Sequence, residues 1–158
     1  GTFVIRYPRG RGVLKDWHCP LEEIEVGTGR KLRDGSDIAI LSVGPVGNNA
    51  EKAIELMAES NSTLSIAHYD MRFVKPLDEN LLLEVAHKFR KIITVEDGVR
   101  EGGFGSAVLE WMDDHGFHPD TMRLGLPDHF VEHGTVAELQ HIVGIDAEGI
   151  CKAIEKLK

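Results

Sequence analysis

Arginine is the first chemistry-bearing residue type to cluster along this chain. Arg6, Arg9 and Arg11 lie close together in RYPRGR, within a protein of 18 basic and 26 acidic side chains. A guanidinium grips a phosphate or carboxylate through two parallel hydrogen bonds, so such a loop could form an anion site; the competing reading is a solvated linker. Pro8 cannot donate to a strand ladder, and Gly10 and Gly12 release the chain. Arg9 and Arg11 are therefore expected in an exposed turn, with Arg6 inside a preceding strand, Thr2 to Tyr7.

Histidine is the next candidate. His129 and His133 stand four apart beside Asp128 and Glu132, a spacing that can hold a metal on a helix. The glutamate is misplaced for an HExxH site, Gly134 interrupts, and Thr135 with Glu138 reads as a capping box that starts a helix beyond them. Both histidines are thus expected in a loop with a structural role. His115 and His118 straddle Gly116 at a helix end, where a cation suits the helix dipole and needs no metal. His68, inside an apolar run, reads as a satisfied core histidine.

The glycines of GGFGSAV, 102–108, invite a dinucleotide reading. Val108 stands where the third small residue belongs, and the acidic residue expected about 20 positions on is not evident. The glycines are expected instead to let helix and sheet approach closely. Gly44 and Gly47 precede a helix without the lysine and hydroxyl of a phosphate loop, so close packing explains them too.

The elements that must position these groups follow from periodicity. Ile92 to Val95 is a β-branched run suited to a strand covered on both faces and ended by Glu96–Asp97–Gly98, and Phe104, Val108, Leu109 and Met112 recur at helical spacing over 103–115. Asp34–Gly35 between KLR and DIAIL is a hairpin signal, predicting an antiparallel strand over 26–33 beside a strand over 37–44. Ala53, Ile54, Met57 and Ala58 mark a helix over 48–60 capped by Asn48 or Asn49, and Leu64 to Tyr69 reads as a buried strand. Pro76 and Asp78 open a helix over 78–89 that buries Leu81, Leu82, Val85 and Ala86. Thr121 to Leu126 is a further strand, and a last helix from about Asp146 to Leu157 places Ile150, Ile154 and Leu157 on one face. The expected fold class is α/β: three layers, α/β/α, around a mostly parallel sheet of about five strands with one antiparallel edge strand.

A length of 158 residues with 42% hydrophobic content suits one domain with a real core. The net charge of −8 argues against general nucleic-acid or membrane-surface binding, and no run reaches the length of a membrane span. No signal-peptide pattern is present, and Cys19 and Cys151 lack a CxxC partner, which fits reduced thiols and a cytoplasmic location. Gly1 stands where an initiator methionine would be, followed at once by a strand. That predicts an excised piece of a longer enzyme, with 1–12 a linker strand and loop from a preceding domain and 13–158 a single domain. No nucleophile–base pair, GxSxG elbow, CxxC or specific phosphate loop is found, so composition and spacing stop at an α/β domain with an arginine-rich entry loop.

Four stretches taken together carry a resemblance: RYPRG (6–10), DMRFVKPLD (70–78), TVEDGVREGGFGSAV (94–108) and GLPDHFVEHGT (125–135). In this order the chain resembles, over essentially its whole length, the C-terminal domain of the 1-deoxy-D-xylulose-5-phosphate synthases, thiamine-diphosphate enzymes of the transketolase group. The TVED–glycine–helix pattern also resembles the β subunit of pyruvate dehydrogenase, the alternative reading as an assembly module. The resemblance implies a transferase that condenses pyruvate with glyceraldehyde 3-phosphate, losing carbon dioxide, for isoprenoid, thiamine and pyridoxal synthesis. It implies that thiamine diphosphate and Mg²⁺ are held by other domains, with no cofactor and no catalytic residue in this piece, which alone would be inactive. It matches the family's phosphate-binding arginine to Arg9, with Arg6 second. The implied partners are the preceding domains of the same chain, a homodimer partner and the small phosphate substrate. Residues 13–36 match no motif of that family.

Overall fold

The computed structural model describes residues 12, 18, 20–60 and 62–158. In chain order the elements are β1 (Arg30–Arg33), β2 (Ile38–Val43), α1 (Gly47–Glu59), β3 (Ile66–Asp70), α2 (Glu79–Lys88), β4 (Lys91–Val99), α3 (Phe104–Asp114), β5 (Asp120–Leu126), α4 (Val136–Val143) and α5 (Ala147–Leu157). The five strands form one sheet in the order β1-β3-β2-β4-β5. β1 runs antiparallel to β3 and every other pairing is parallel, as the apolar patterning implies.

Two buried clusters cover the two faces and make the molecule three-layered. Ile38, Ile40 and Ile93 meet Ala53, Ile54, Ile150 and Ile154 of α1 and α5 on one face; Leu41, Tyr69 and Ile92 meet Leu82, Val85, Phe104, Val108 and Met112 of α2 and α3 on the other. β2 and β4 are buried on both sides, which only a nearly continuous apolar run can satisfy. The helix carrying Ile150 and Ile154 starts at the N-cap Asp146, whose carboxylate accepts the Gly149 N–H at 2.8 Å.

Three expectations need correction. The Asp34–Gly35 turn makes no hairpin between neighbours, because β1 pairs with β3 and β3 lies between β1 and β2. The turn passes beneath the start of β3, where the N–H groups of Ser36 and Asp37 donate to the Ser65 carbonyl at 3.0 and 2.8 Å. A Cβ on Gly35 would collide with the backbone of Ile66 and Ala67, so glycine is there for close approach to a third strand. The second correction concerns β4, which runs on through Glu96–Asp97–Gly98 to Val99, with an irregular register between Val95 and Val99. The third is the start of α1: its N-cap is Val46, without a side-chain cap, and Asn49 instead donates to Gln140 Oε1 at 3.1 Å and the Ile145 carbonyl at 3.0 Å.

Candidate functional site

In an open parallel sheet, ligands collect where successive crossovers leave in opposite directions, at the carboxyl ends of the strands. Here that point lies between β2 and β4: the chain leaves β2 through α1 towards β3, and leaves β4 through α3 towards β5, on opposite faces. The N-termini of α1 and α3 both start at this edge, and a helix N-terminus with free N–H groups is a ready anion site.

Neither start is free. At α3, Glu96 of β4 is only 5% exposed and turns inward, so its two carboxylate oxygens accept the N–H groups of Phe104 and Gly105, each at 2.8 Å. The residue at the N-cap itself, Gly103, offers no side chain, so a strand carboxylate caps the helix across the loop. The glycines serve this closure. A Cβ on Gly103 would strike the Val99 carbonyl and Glu96, one on Gly105 would strike Thr94 Oγ1, and one on Gly125 would come within 2.9 Å of the Gly98 carbonyl. Ser106 braces the loop by donating to the Arg100 carbonyl and accepting the Gly102 N–H, both at 3.0 Å, and Arg123 donates to Ser106 Oγ at 2.7 Å. At α1, the N–H groups of Gly47, Asn48 and Asn49 donate back to the carbonyls of Gly44, Pro45 and Val46.

The same edge holds a second polar assembly. Ser42 Oγ and His68 Nε2 are 2.8 Å apart, His68 Nδ1 is bonded to the Glu51 carboxylate, and Arg33 reaches the other Glu51 oxygen at 3.1 Å. Hydroxyl, imidazole and carboxylate stand in the order of a hydrolase triad. Ser42 is 1% exposed and His68 0%, and Gly47 closes over the pair, since a Cβ there would lie 2.7 Å from Ser42 Oγ. No substrate reaches this hydroxyl, and the expected satisfied core histidine is what the structure holds. Partial burial pushes the Glu51 carboxyl up, but the bonds from His68 and Arg33 outweigh it and hold it below the usual carboxylate value.

The sequence-predicted residues sort as follows. Arg9 and Arg6, the phosphate-binding candidates, lie outside the described residues, as do the 2–7 strand and Cys19. His129 and His133 fall in the loop before α4, and Thr135 and Glu138 form the anticipated capping box. His115 closes α3, with its Nδ1 at 2.7 Å from the Trp111 carbonyl. Cys151 is a free thiol whose Sγ lies 3.5 Å from the Ala53 carbonyl. Sequence reasoning missed three features. Arg72, within DMRFVKPLD, sits at φ +56° at the end of β3, with its N–H on Asp70 Oδ1 at 3.2 Å; no local signal marks a left-handed arginine. Glu96, which the sequence marks only as the end of a strand, is the second. His141, Asp146 and Glu148 are the one group of such side chains, among the described residues, close enough together to hold a metal. Asp146 is already committed there, accepting from Gly149 N–H and bonded to His141 at 2.7 Å, so the group reads as a helix cap.

Residues 27–150 match the family described as transketolase, C-terminal domain. The chain belongs to this family, and the three-layer sheet with one antiparallel edge strand is its fold. Among curated proteins it is 58% identical over all of its 158 residues to the 1-deoxy-D-xylulose-5-phosphate synthase of Bacteroides fragilis, and covers 24% of that protein. It is 62% identical over 156 residues, 99% of its length, to the synthase of the same description from Bacteroides thetaiotaomicron, again covering 24%. The chain thus spans about a quarter of the length of these relatives. Among solved structures, a split-gene transketolase described as an inactive β4 tetramer is similar at a TM-score of 0.76 and 31% identity, over 86% of this chain and 44% of the other. The transketolase of Campylobacter jejuni, at 15% identity and a TM-score of 0.58 over 82% of this chain and 18% of the other, shares the fold alone.

Proposed function

We propose that this chain is the C-terminal part of a 1-deoxy-D-xylulose-5-phosphate synthase, the transferase that joins pyruvate to glyceraldehyde 3-phosphate with loss of carbon dioxide. The observation that carries this reading is identity of 58% across the whole chain to a synthase four times as long, with no stretch left over. In such an enzyme thiamine diphosphate, with Mg²⁺, supplies the carbon–carbon chemistry. The described residues do not fit that group. The diphosphate would need the N–H groups at the starts of α1 and α3, and those are consumed by Glu96 and by the 44–46 carbonyls. We read the coenzyme as held by other parts of the parent chain, as the family resemblance implies, and expect the isolated 158 residues to be inactive.

Two contributions remain for this domain. Arg9, with Arg6 second, contacts the phosphate of the aldehyde substrate from a linker over residues 1–12, the domain proper being 13–158. The domain also helps hold the assembled enzyme, a cytoplasmic homodimer, together. It has apolar side chains to spend on that: Phe130, Val136 and Ile142 stand exposed in the 127–135 loop and on α4, a helix with no buried residue. The occupant is the three quarters of the parent chain that these residues do not include.

Arg9→Ala in the full-length parent tests the phosphate role. Titrating each substrate separately, kcat/KM for glyceraldehyde 3-phosphate should fall by about 2–4 kcal/mol in transition-state terms, chiefly through KM, with pyruvate nearly unaffected. An unchanged aldehyde constant would remove Arg9 from the site and leave the domain an assembly module.

A further inference from the structure

The loop after β3 carries a residue with no part in the roles above. Arg72 is the one non-glycine residue with a left-handed backbone among the described residues, at φ +56°, and the Phe73 N–H donates to the Met71 carbonyl to close a three-residue turn about it. A turn of this hand is strained for any residue with a side chain. It is pinned from both sides: the Met71 N–H donates to the Ser42 carbonyl at 2.8 Å, and Asp70 takes the Arg72 N–H on Oδ1 and Arg30 on Oδ2. We propose that the turn presents the Arg72 guanidinium to a carboxylate of the preceding part of the parent chain, and that this part docks on the face formed by residues 24–27 and 72–76.

Among the described residues the guanidinium of Arg72 has no hydrogen-bond or ion-pair partner. Arg30, Arg33 and Arg100 each pair with a carboxylate, and Arg123 is held by the Arg100 carbonyl and Ser106. Arg90 is also unpaired but stands exposed to water, whereas Arg72 is half-buried. The acids of the same region are committed elsewhere: Asp70 to Arg30 and the Arg72 backbone, Asp78 to Gly29 and Leu81, Glu84 to Lys31. A half-buried, unpaired guanidinium in a protein of net charge −8 lacks an acceptor, and its planar fork suits a carboxylate.

The surface around it is apolar and bare: Val26 is 67% exposed, Ile24 54% and Val74 46%. An arginine among exposed apolar side chains is the composition of an interface centre. Residues 25–29 cross the loop closely, for the Gly29 N–H donates to Asp78 Oδ2 at 2.8 Å, a Cβ on Gly27 would lie 3.0 Å from Pro76 Cγ, and one on Gly29 would strike Leu81. The occupant follows from the proposed function, on which this inference rests. This chain spans about a quarter of its curated relatives' length, and for a C-terminal part the remainder joins from the N-terminal side, where 25–29 meets the loop. The face also lies at the carboxyl edge of the sheet, as does the 127–135 loop with Phe130, so one partner reaches both.

Amide hydrogen exchange of the full-length parent and of the 158-residue chain, corrected for intrinsic exchange, tests the docking. Amides of 24–27 and 72–75 should exchange about tenfold more slowly in the parent. Arg72→Gln should remove about fivefold of that protection in the parent and leave the 158-residue chain unchanged, because there the guanidinium has no partner to lose. A purely structural role would move both. Arg72→Lys, which keeps the charge without the fork, should lose less than Arg72→Gln. Equal protection of these amides in parent and 158-residue chain, or an Arg72→Gln parent that exchanges like the wild type, would overturn the proposal. So would a raised KM for pyruvate or glyceraldehyde 3-phosphate with the loop still protected, which would assign Arg72 to a substrate anion instead. Synthase activity of the unmutated parent checks the reading beneath: its absence would overturn that reading, while the exchange comparison still decides the docking.

Discussion

At the scale of single residues, Glu96 decides most about the carboxyl edge of the sheet. A carboxylate that accepts two backbone N–H groups at a helix start adds charge–dipole attraction to two charge-assisted hydrogen bonds, here on a side chain that is largely buried. Glu96→Gln keeps the shape but has one acceptor oxygen for two donors, and turns an NH₂ group towards a helix N–H. It should cost about 2 kcal/mol in urea denaturation. A midpoint equal to the wild type would mean that the charge contributes nothing to the cap. The same carboxylate occupies the two N–H groups at the glycine-rich turn that a phosphate would otherwise need.

At the scale of elements, the helices are set by their ends and by the face they bury. Asp78 joins two elements, its Oδ1 accepting the Leu81 N–H of α2 at 2.9 Å and its Oδ2 the Gly29 N–H just before β1 at 2.8 Å. Asp78→Ala removes both and should lower stability by about 2 kcal/mol, with Asp78→Asn recovering part because one acceptor remains. Thermal melts of the two variants side by side check the order; equal losses would show that only the α2 cap matters. α4 is the opposite case. It has no fully buried residue, only Val143 packing partly buried against the core, so its capping box at Thr135 and the left-handed Gly144 at its end, φ +74°, define it locally.

At the scale of the whole molecule, the five-stranded sheet of the described residues is covered on both faces, but other parts of their surface are bare. Phe130 is 103% exposed, as open as it would be in a short peptide, and Val136 and Ile142 of α4 are also bare. Single exposed apolar residues are ordinary on a free surface; the docking proposed above would cover these, in a chain that spans about a quarter of its relatives' length. Phe130→Asp should lower the melting temperature of the full-length parent and leave that of the 158-residue chain unchanged. Equal shifts in both, or none in either, would show that nothing docks on this residue.

How much of this was legible follows from the range of the forces involved. Strand and helix identities, the parallel sheet with its one antiparallel edge, the caps at Asp78 and Thr135–Glu138, and the structural reading of His68 were all written locally, because periodicity and capping act over a few residues. The family was legible for a similar reason, since each of its motifs is a contiguous stretch. Tertiary structure alone decided that β1 lies beside β3, because the Asp34–Gly35 turn is shaped by Ile66 and Ala67, some thirty positions away. It alone turned Glu96 inward, placed Arg72 in a left-handed conformation and brought Arg33, Ser42, Glu51 and His68 into one chain. Those features rest on contacts between elements, and such contacts exist only once the hydrophobic faces have packed.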